Sequence, residues 1–248
     1  MRIAAIIQAR MNSERLPGKS LMKVGDKAVL EYIIENLKTS RYLAWIVLAT
    51  TKREEDKALL QLAKKLRISA FAGSENNVLT RYKDSAEAFG LDIVVRITGD
   101  NILTDVEGMD RTIALYLKEE PDLAINGGKH GYPLGTAVEV LSFKLLQRLN
   151  EIARSVDERE HVTLYIYKNQ DKYCISYLKA PIDYRDLDVR LTIDTPEDMS
   201  LIRELYGKLK EHKEGFKLAT IVEYLRKYPE LKRINSHIKQ KNVFLRSK

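Results

Sequence analysis

A single cysteine, Cys174, in 248 residues excludes an internal disulfide and any thiolate metal cluster. Long apolar runs are missing too, and nothing approaches the ~20 consecutive apolar residues that carry a helix across a bilayer. The opening stretch Met1-Arg2-Ile3-Ala4-Ala5-Ile6-Ile7-Gln8 is apolar but short and lacks a small-residue cleavage site. It reads as a first strand. With 6 prolines and 12 glycines, and no repeat, low-complexity tract or long linker, the chain reads as one globular unit. Neither the P-loop pattern G-x-x-x-x-G-K-[ST] nor the dinucleotide pattern G-x-G-x-x-G occurs. No Ser/His/Asp or Cys/His set has credible spacing, so covalent hydrolysis is not expected. A cytoplasmic location without a membrane partner is the expectation.

What is present is charge of both signs. Lys and Arg number 42 against 35 Asp and Glu, a formal net charge of +7. A nucleic-acid partner would require those cations to gather in a patch with interleaved aromatics. Here they alternate with acids almost everywhere, and only the last stretch, 229–248, is biased toward base. No nucleic-acid partner is expected. A mild positive field also concentrates small anionic ligands, and most of these charges simply solvate the surface.

Short β-branched runs alternate with helical periods. Strands are expected at Ile3–Gln8, Trp45–Ala49, Ile68–Ala72 and Asp92–Ile97. Between and after them come helices at Ala28–Ser40, Glu54–Leu66, Asn77–Phe89 and Asp105–Lys118. In the first helix Leu30, Ile33, Ile34 and Leu37 recur at helical spacing and form one apolar stripe. Such a β-α-β-α-β series predicts an α/β fold, a mostly parallel sheet covered by helices on both faces. After Pro121 the rhythm changes, with strands at Asp122–Asn126, Ala137–Leu141 and Tyr173–Leu178. Helices follow at Ser142–Ala153, Glu158–Lys168, Glu197–Lys213 and Lys217–Lys227. The Gly-rich 127–135 stretch has the character of a pocket rim, and 127–178 reads as an inserted segment for acceptor binding and dimerisation.

The loop after the first strand is the most informative segment: Gln8-Ala9-Arg10-Met11-Asn12-Ser13-Glu14-Arg15-Leu16-Pro17-Gly18-Lys19. Loops at the carboxyl ends of parallel strands are where open α/β sheets bind ligands. Arg10, Arg15 and Lys19 bring cations, Gly18 admits close backbone approach and Pro17 stiffens the turn. Guanidinium forks, an ammonium and backbone N–H groups suit a triphosphate; the alternative is an exposed basic turn. A second loop, Arg96-Ile97-Thr98-Gly99-Asp100-Asn101, delivers Asp100 from a strand end to the same rim. A carboxylate facing a polyphosphate repels it unless a cation lies between, and Mg²⁺ favours one or two carboxylates plus phosphate oxygens. The third element, Arg190-Leu191-Thr192-Ile193-Asp194-Thr195-Pro196-Glu197-Asp198, reads as a strand followed by a capped helix. Thr195, Pro196 and Asp198 are explained by the cap, whereas Asp194 is not.

These segments resemble the signature loops of the sugar-acid cytidylyltransferases, which include the CMP-sialic acid and CMP-Kdo synthetases. The likeness is greatest to the type represented by spore coat polysaccharide biosynthesis protein F, and it extends to about Asp198. It implies a GT-A-like, Rossmann-like nucleotidyltransferase fold and a CTP-dependent enzyme that loads CMP onto an anionic sugar for surface-glycan synthesis. Related enzymes are commonly dimers, so a homodimer is expected. By that resemblance Gln8, Ala9, Arg10, Ser13 and Thr98 join Arg15, Lys19 and Asp100 around the nucleotide. The matching Arg15 and Lys19 grip its triphosphate, and the matching Asp100 and Asp194 hold Mg²⁺. Gly73-Ser74-Glu75-Asn76-Asn77-Val78-Leu79-Thr80-Arg81 departs from the family's stretch at Asn77 and Thr80, where acids are usual. Arg81 either pairs with a carboxylate or is a helix-surface charge. In Pro133-Leu134-Gly135-Thr136-Ala137-Val138-Glu139-Val140, Ala137 replaces a common aspartate, and Glu139 either binds a sugar hydroxyl or closes a core hydrogen-bond network. His161 in Glu160-His161-Val162-Thr163 is a substrate-pocket or a core histidine, and Arg190 a candidate contact for substrate or phosphate. The competing readings are a GT-A glycosyltransferase, for which the Asp-x-Asp motif is missing at Asp100-Asn101-Ile102, and a non-catalytic nucleotide-binding homologue.

Overall fold

The computed structural model describes residues 1–127, 130–185, 187–213 and 215–240. Among these residues nine strands form: β1 (Ile3–Gln8), β2 (Lys23–Val24), β3 (Lys27–Ala28), β4 (Trp45–Thr51), β5 (Ser69–Gly73), β6 (Ile93–Thr98), β7 (Leu123–Ile125), β8 (Glu139–Ser142) and β9 (Ile175–Tyr177). Nine α-helices accompany them: α1 (Val29–Leu37), α2 (Lys57–Lys65), α3 (Val78–Ala88), α4 (Val106–Glu119), α5 (Phe143–Ile152), α6 (Val156–Glu160), α7 (Leu164–Lys168), α8 (Pro196–Leu209) and α9 (Leu218–Lys227). Seven strands make one sheet in the order β5-β4-β1-β6-β8-β7-β9, and β2 and β3 form a small hairpin. Within the seven-stranded sheet, among the described residues, only β8 runs against its neighbours.

Alternation along β1 explains the two-sided packing. Ile3, Ala5 and Ile7 enter a core with α1, α2, α4, α8 and α9. Ala4 and Ile6 face the opposite core with α3, α5 and α7. A strand buried on both faces reads as a continuous apolar run, as Ile3-Ala4-Ala5-Ile6-Ile7 does. The α1 stripe of Leu30, Ile33, Ile34 and Leu37 is fully buried, each side chain contributing about 1.5–3 kcal/mol of apolar transfer.

From β1 the chain builds outward to β4 and β5, then crosses back to place β6 on the other side of β1. The carboxyl ends of β1 and β6 are thus a topological switch point, the position where an open α/β sheet binds ligands.

Two expectations need revision. The helix expected at 158–168 is two, α6 and α7, broken at His161-Val162-Thr163. Ser155 and Glu158 close a capping box on α6, and His161 is extended at φ −108°; the break turns the Thr163 hydroxyl onto Glu139. The stretch before Asp194 is extended but not a strand, having only one isolated bridge, Leu134–Arg190. Its Ile193 N–H is spent on the Asp100 carbonyl at 3.0 Å rather than on a ladder. In the basic-biased stretch a 3₁₀ turn spans Pro229–Ile234, Leu231 and Ile234 touch the core, and Asn235 is buried. The remainder of the expected basic tail, 241–248, lies outside the described residues, as do Gly128 and Lys129 of the rim. The 127–178 segment gives β8 and β9 to the central sheet.

Candidate active site

A cleft of about 440 Å³ opens at the switch point. Gln8 pairs in register with Thr98, the last residues of β1 and β6. Just beyond, the Gly99 N–H donates to the Gln8 carbonyl at 2.8 Å. A Cβ on Gly99 would lie 2.8 Å from that oxygen and 2.9 Å from the Ala9 Cβ. Glycine is what lets the two loops touch.

The first loop folds back on itself. Both Ser13 and Gly18 donate their N–H to the Met11 carbonyl, at 3.0 and 2.8 Å, and Gly18 takes a left-handed φ of +73°. Its outer tie is Asp56, a buried residue at the start of α2 that accepts from the Met11 N–H at 2.7 Å and from the Thr51 hydroxyl. Sequence reasoning missed Asp56, because an aspartate opening a helix reads as an ordinary cap; here its carboxylate caps nothing in α2 and reaches across to the loop instead.

The loop so pinned brings Lys19 to the acids. Its Nζ donates to Asp100 Oδ2 at 2.6 Å and to Asp194 Oδ1 at 2.8 Å. Arg15 Nη2 stands 3.0 Å from Asp194 Oδ2, which also accepts from Arg190 Nη2 at 2.5 Å. Burial alone would lower the Lys19 pKa, but Asp100 and Asp194 outweigh it and hold the ammonium above its ordinary 10.5. For Asp194 burial pushes upward, and Lys19, Arg15 and Arg190 together hold the carboxyl below its ordinary 3.8. Both groups are charged at neutral pH.

Of the residues singled out from sequence, Gln8, Ala9, Arg10, Ser13, Arg15, Lys19, Arg81, Thr98, Asp100, Glu139, His161 and Asp194 all line this cleft. Arg190 does not; it lies behind Asp194, 6% exposed, with its Nε on both oxygens of Asp198 at 2.9 and 3.1 Å. Arg81 is no surface charge either. It is 2% exposed and donates to the Ser74 and Glu75 carbonyls rather than to a carboxylate. Burial lowers its pKa from the usual guanidinium value.

On the far wall Glu139 accepts from Arg96 Nη1 at 2.8 Å, from the Thr163 hydroxyl at 3.0 and 2.9 Å, and from the Tyr167 hydroxyl at 2.6 Å. Its carboxylate therefore closes a network at the cleft floor. Arg96 was missed in the sequence because an arginine inside an apolar strand carries no motif of its own. The two departures near α3 have local jobs. Asn77 caps α3 by accepting from the Thr80 N–H at 2.9 Å, and the Thr80 hydroxyl donates to Asn150 at 2.6 Å. Ala137 lines the cleft itself.

Two carboxylates that both touch one ammonium are close enough to share a cation. Hard oxygen donors beside a cluster of phosphate-type cations are a donor set that fits Mg²⁺. Among the described residues no group of three or more His, Cys, Asp or Glu could hold a metal ion. Asp100 and Asp194 would thus supply only part of a shell, to be completed by phosphate oxygens and water. No helix among the described residues is long and apolar enough to cross a membrane.

Comparison with known proteins agrees with this geometry. Residues 4–248 match the family model described as Cytidylyltransferase. An uncharacterized protein of Methanocaldococcus jannaschii, MJ1063, is 38% identical over 244 residues, covering 98% of each chain. The spore coat polysaccharide biosynthesis protein SpsF of Bacillus subtilis is 36% identical over 216 residues, covering 84% of this chain and 88% of SpsF. A solved cytidylyltransferase structure from Leptospira borgpetersenii superposes with a TM-score of 0.88 at 32% identity, over 97% of this chain and all of that one. The match spans the whole described sheet and the carboxyl-terminal segment alike: the chain belongs to the cytidylyltransferase family of nucleotidyltransferases.

Proposed function

We propose that this enzyme transfers CMP from CTP to an anionic sugar acceptor, of the nonulosonic- or Kdo-like acid class, and releases pyrophosphate. The observation that carries the reading is the Lys19 ammonium bonded to Asp100 and Asp194 together, with Arg15 on the same Asp194. It supports the reading because cations of the kind that bind phosphate and oxygen donors of the kind that suit a divalent ion meet on one spot at the sheet's switch point. The name of SpsF supports a role in surface-polysaccharide assembly.

In this reading an acceptor hydroxyl oxygen attacks the α-phosphorus in line, and the bond to the pyrophosphate oxygen breaks. Such transfers depend on positioning and charge neutralisation more than on covalent help from the protein. Arg15 and Lys19 move from Asp194 onto the β- and γ-phosphates and neutralise the leaving pyrophosphate. Arg10, Ser13 and the backbone of Gln8 and Ala9 orient the nucleotide. On the opposite wall Glu139, His161 and Arg81 shape the acceptor side. The hydroxyl proton passes to water or to the acceptor's own anionic group, and no cleft side chain is assigned as the base. Asp100 and Asp194 would hold Mg²⁺, which would supply Lewis-acid neutralisation of phosphate charge. We further propose a cytoplasmic homodimer formed through the 127–178 segment, whose edge strand β9 leaves Tyr177 exposed.

The test incubates the protein with CTP, Mg²⁺ and pyrophosphatase across a panel of sugar acids and sugar phosphates, and reads phosphate release. Asp100→Ala and Asp194→Ala are expected to lose at least ~100-fold in rate while keeping the wild-type circular dichroism spectrum. Full turnover by both variants would remove the metal assignment, and release with no acceptor in the panel would remove the acceptor class.

A further inference from the structure

Asp194 is a cleft carboxylate with weak backbone support. It ends a stretch that has one isolated β-bridge and no continuous ladder, tied otherwise by the Leu191 N–H to the Leu134 carbonyl and the Ile193 N–H to the Asp100 carbonyl. Lys19 holds Oδ1 of Asp194 and Arg15 holds Oδ2 from within the cleft, and Arg190 holds Oδ2 from behind it. Arg190 spreads its guanidinium over three acceptors: Nε on Asp198, Nη2 on Asp194 and Nη1 on Gln240. Asp198 is fully buried and also accepts from the N–H groups of Asp194 at 2.9 Å and Thr195 at 3.1 Å.

A third member of the cluster comes from 37 residues further along the chain. Asn235, 1% exposed, donates its Nδ2 to Asp198 Oδ1 at 2.9 Å and to the Arg190 carbonyl at 2.9 Å. One amide thus ties the backbone of the arginine to the carboxylate that grips its side chain. The helix cap formed by Thr195 and Asp198 needs neither Arg190 nor Asn235. A buried amide is costly to desolvate unless its bonds compensate, and here both bonds of the Nδ2 converge on the support of Asp194.

We infer that Asn235 is a positioning residue for the transfer reaction. Acting through Asp198 and Arg190, it fixes the direction of the Asp194 carboxylate toward the nucleotide and its divalent ion. The carboxyl-terminal segment 229–240 is then a working part of the active site, and Gln240, which also lines the cleft, is its inner end. The inference rests on the nucleotidyl-transfer reading given above.

The decisive measurement is Mn²⁺ binding in the presence of CTP, followed by electron paramagnetic resonance, for four proteins: wild type, Asn235→Ala, Asp194→Asn and the double variant. A loss of about 5-fold or more is expected for Asn235→Ala, well below its melting temperature, and no further loss when Asn235→Ala is added to Asp194→Asn. Unchanged Mn²⁺·CTP affinity with a lowered melting temperature would make Asn235 purely structural and overturn the inference. So would an equal loss in both backgrounds, because the residue would then act elsewhere than through Asp194. Should Asn235→Ala not fold, Asn235→Ser, which keeps a polar group in a smaller side chain, is read against the same criteria. Failure of the wild type itself to bind Mn²⁺·CTP would sink the nucleotidyl-transfer reading instead.

Discussion

Replacing Glu139 by Gln tests whether the far wall of the cleft is held by charge. The Arg96–Glu139 pair spans 2.8 Å with side-chain exposures of 18% and 8%, so solvent screens it little. Burial alone would lower the Arg96 pKa, but Glu139, with smaller contributions from Tyr82 and Tyr167, outweighs it, and the guanidinium stays charged. Glu139→Gln is nearly isosteric, yet it removes the countercharge and turns one acceptor oxygen into a donor amide facing donors. Removing one partner of a buried pair costs about 3–5 kcal/mol, because the other charge is left uncompensated. At about 2–4 °C per kcal/mol for a chain of this size, the melting temperature should fall by roughly 6–20 °C.

Differential scanning calorimetry reads that shift directly, with urea unfolding as a second measure. The control is Arg96→Gln/Glu139→Gln, in which two neutral amides can hydrogen-bond to each other. It should recover at least half of the loss, since replacing both partners of a buried pair is far milder than breaking one. A Glu139→Gln loss under about 1 kcal/mol, or a double variant no more stable than the single, would refute the reasoning. Glu139 would then be bound to Thr163 and Tyr167 as an ordinary polar residue, with its pairing to Arg96 incidental.

Acid and alkaline stability should separate the two central charges. Because the folded Asp194 pKa is depressed, its contribution is present above the unfolded value near 3.8 and is lost as pH falls through the lower folded value; Asp194→Asn should flatten the urea-derived stability curve on that acid limb. The folded Lys19 pKa is raised, so its contribution is complete below 10.5 and is lost as pH rises through the higher folded value; Lys19→Met should flatten the alkaline limb instead, and unchanged limbs in both variants would contradict the ion-pair assignment. Gly99→Ala should cost about 1–3 kcal/mol by overpacking, because its Cβ meets the Gln8 carbonyl and Ala9, and it should weaken CTP binding in calorimetric titration; a variant with wild-type stability and affinity would show that the two loops need no contact.

The sheet and the first-loop wall of the cleft were legible for physical reasons. Runs such as Ile3–Ile7 and the stripe Leu30, Ile33, Ile34 and Leu37 encode burial through periodicity alone. The cations of the first loop and Asp100 follow strand ends, where topology dictates that ligands bind. Residues that act at long range were not legible. Asp56, Arg96 and Asn235 earn their places by partners 45, 43 and 37 positions away, and no local spacing announces such a partner. Arg190 was legible as important but not as to its direction: whether a guanidinium faces the cleft or its rear depends on which carboxylates surround it. The break at His161 was hidden for a related reason, because Thr163 leaves the helical path to reach a glutamate on a different strand.

The different anchorage of the two acids bears on how the cleft can work. Asp100 follows β6, which is hydrogen-bonded to β1 on one side and β8 on the other, so its backbone is fixed by the sheet. Asp194 has no such ladder and depends on cations. Those cations are of two kinds. Lys19 and Arg15 line the cleft, where phosphate oxygens can draw them away, whereas Arg190 sits behind the carboxylate and is committed to Asp198 and Gln240. If a triphosphate draws off Lys19 and Arg15, as the proposed reaction requires, Asp194 loses two partners and keeps Arg190 at 2.5 Å, which is 6% exposed and does not line the cleft. A carboxylate that is still aimed after its exchangeable partners have left is the condition for handing Asp100 and Asp194 from an internal ammonium to an incoming divalent ion. The buried Arg190–Asp198–Asn235 cluster meets that condition without requiring Asp194 to lie on a strand.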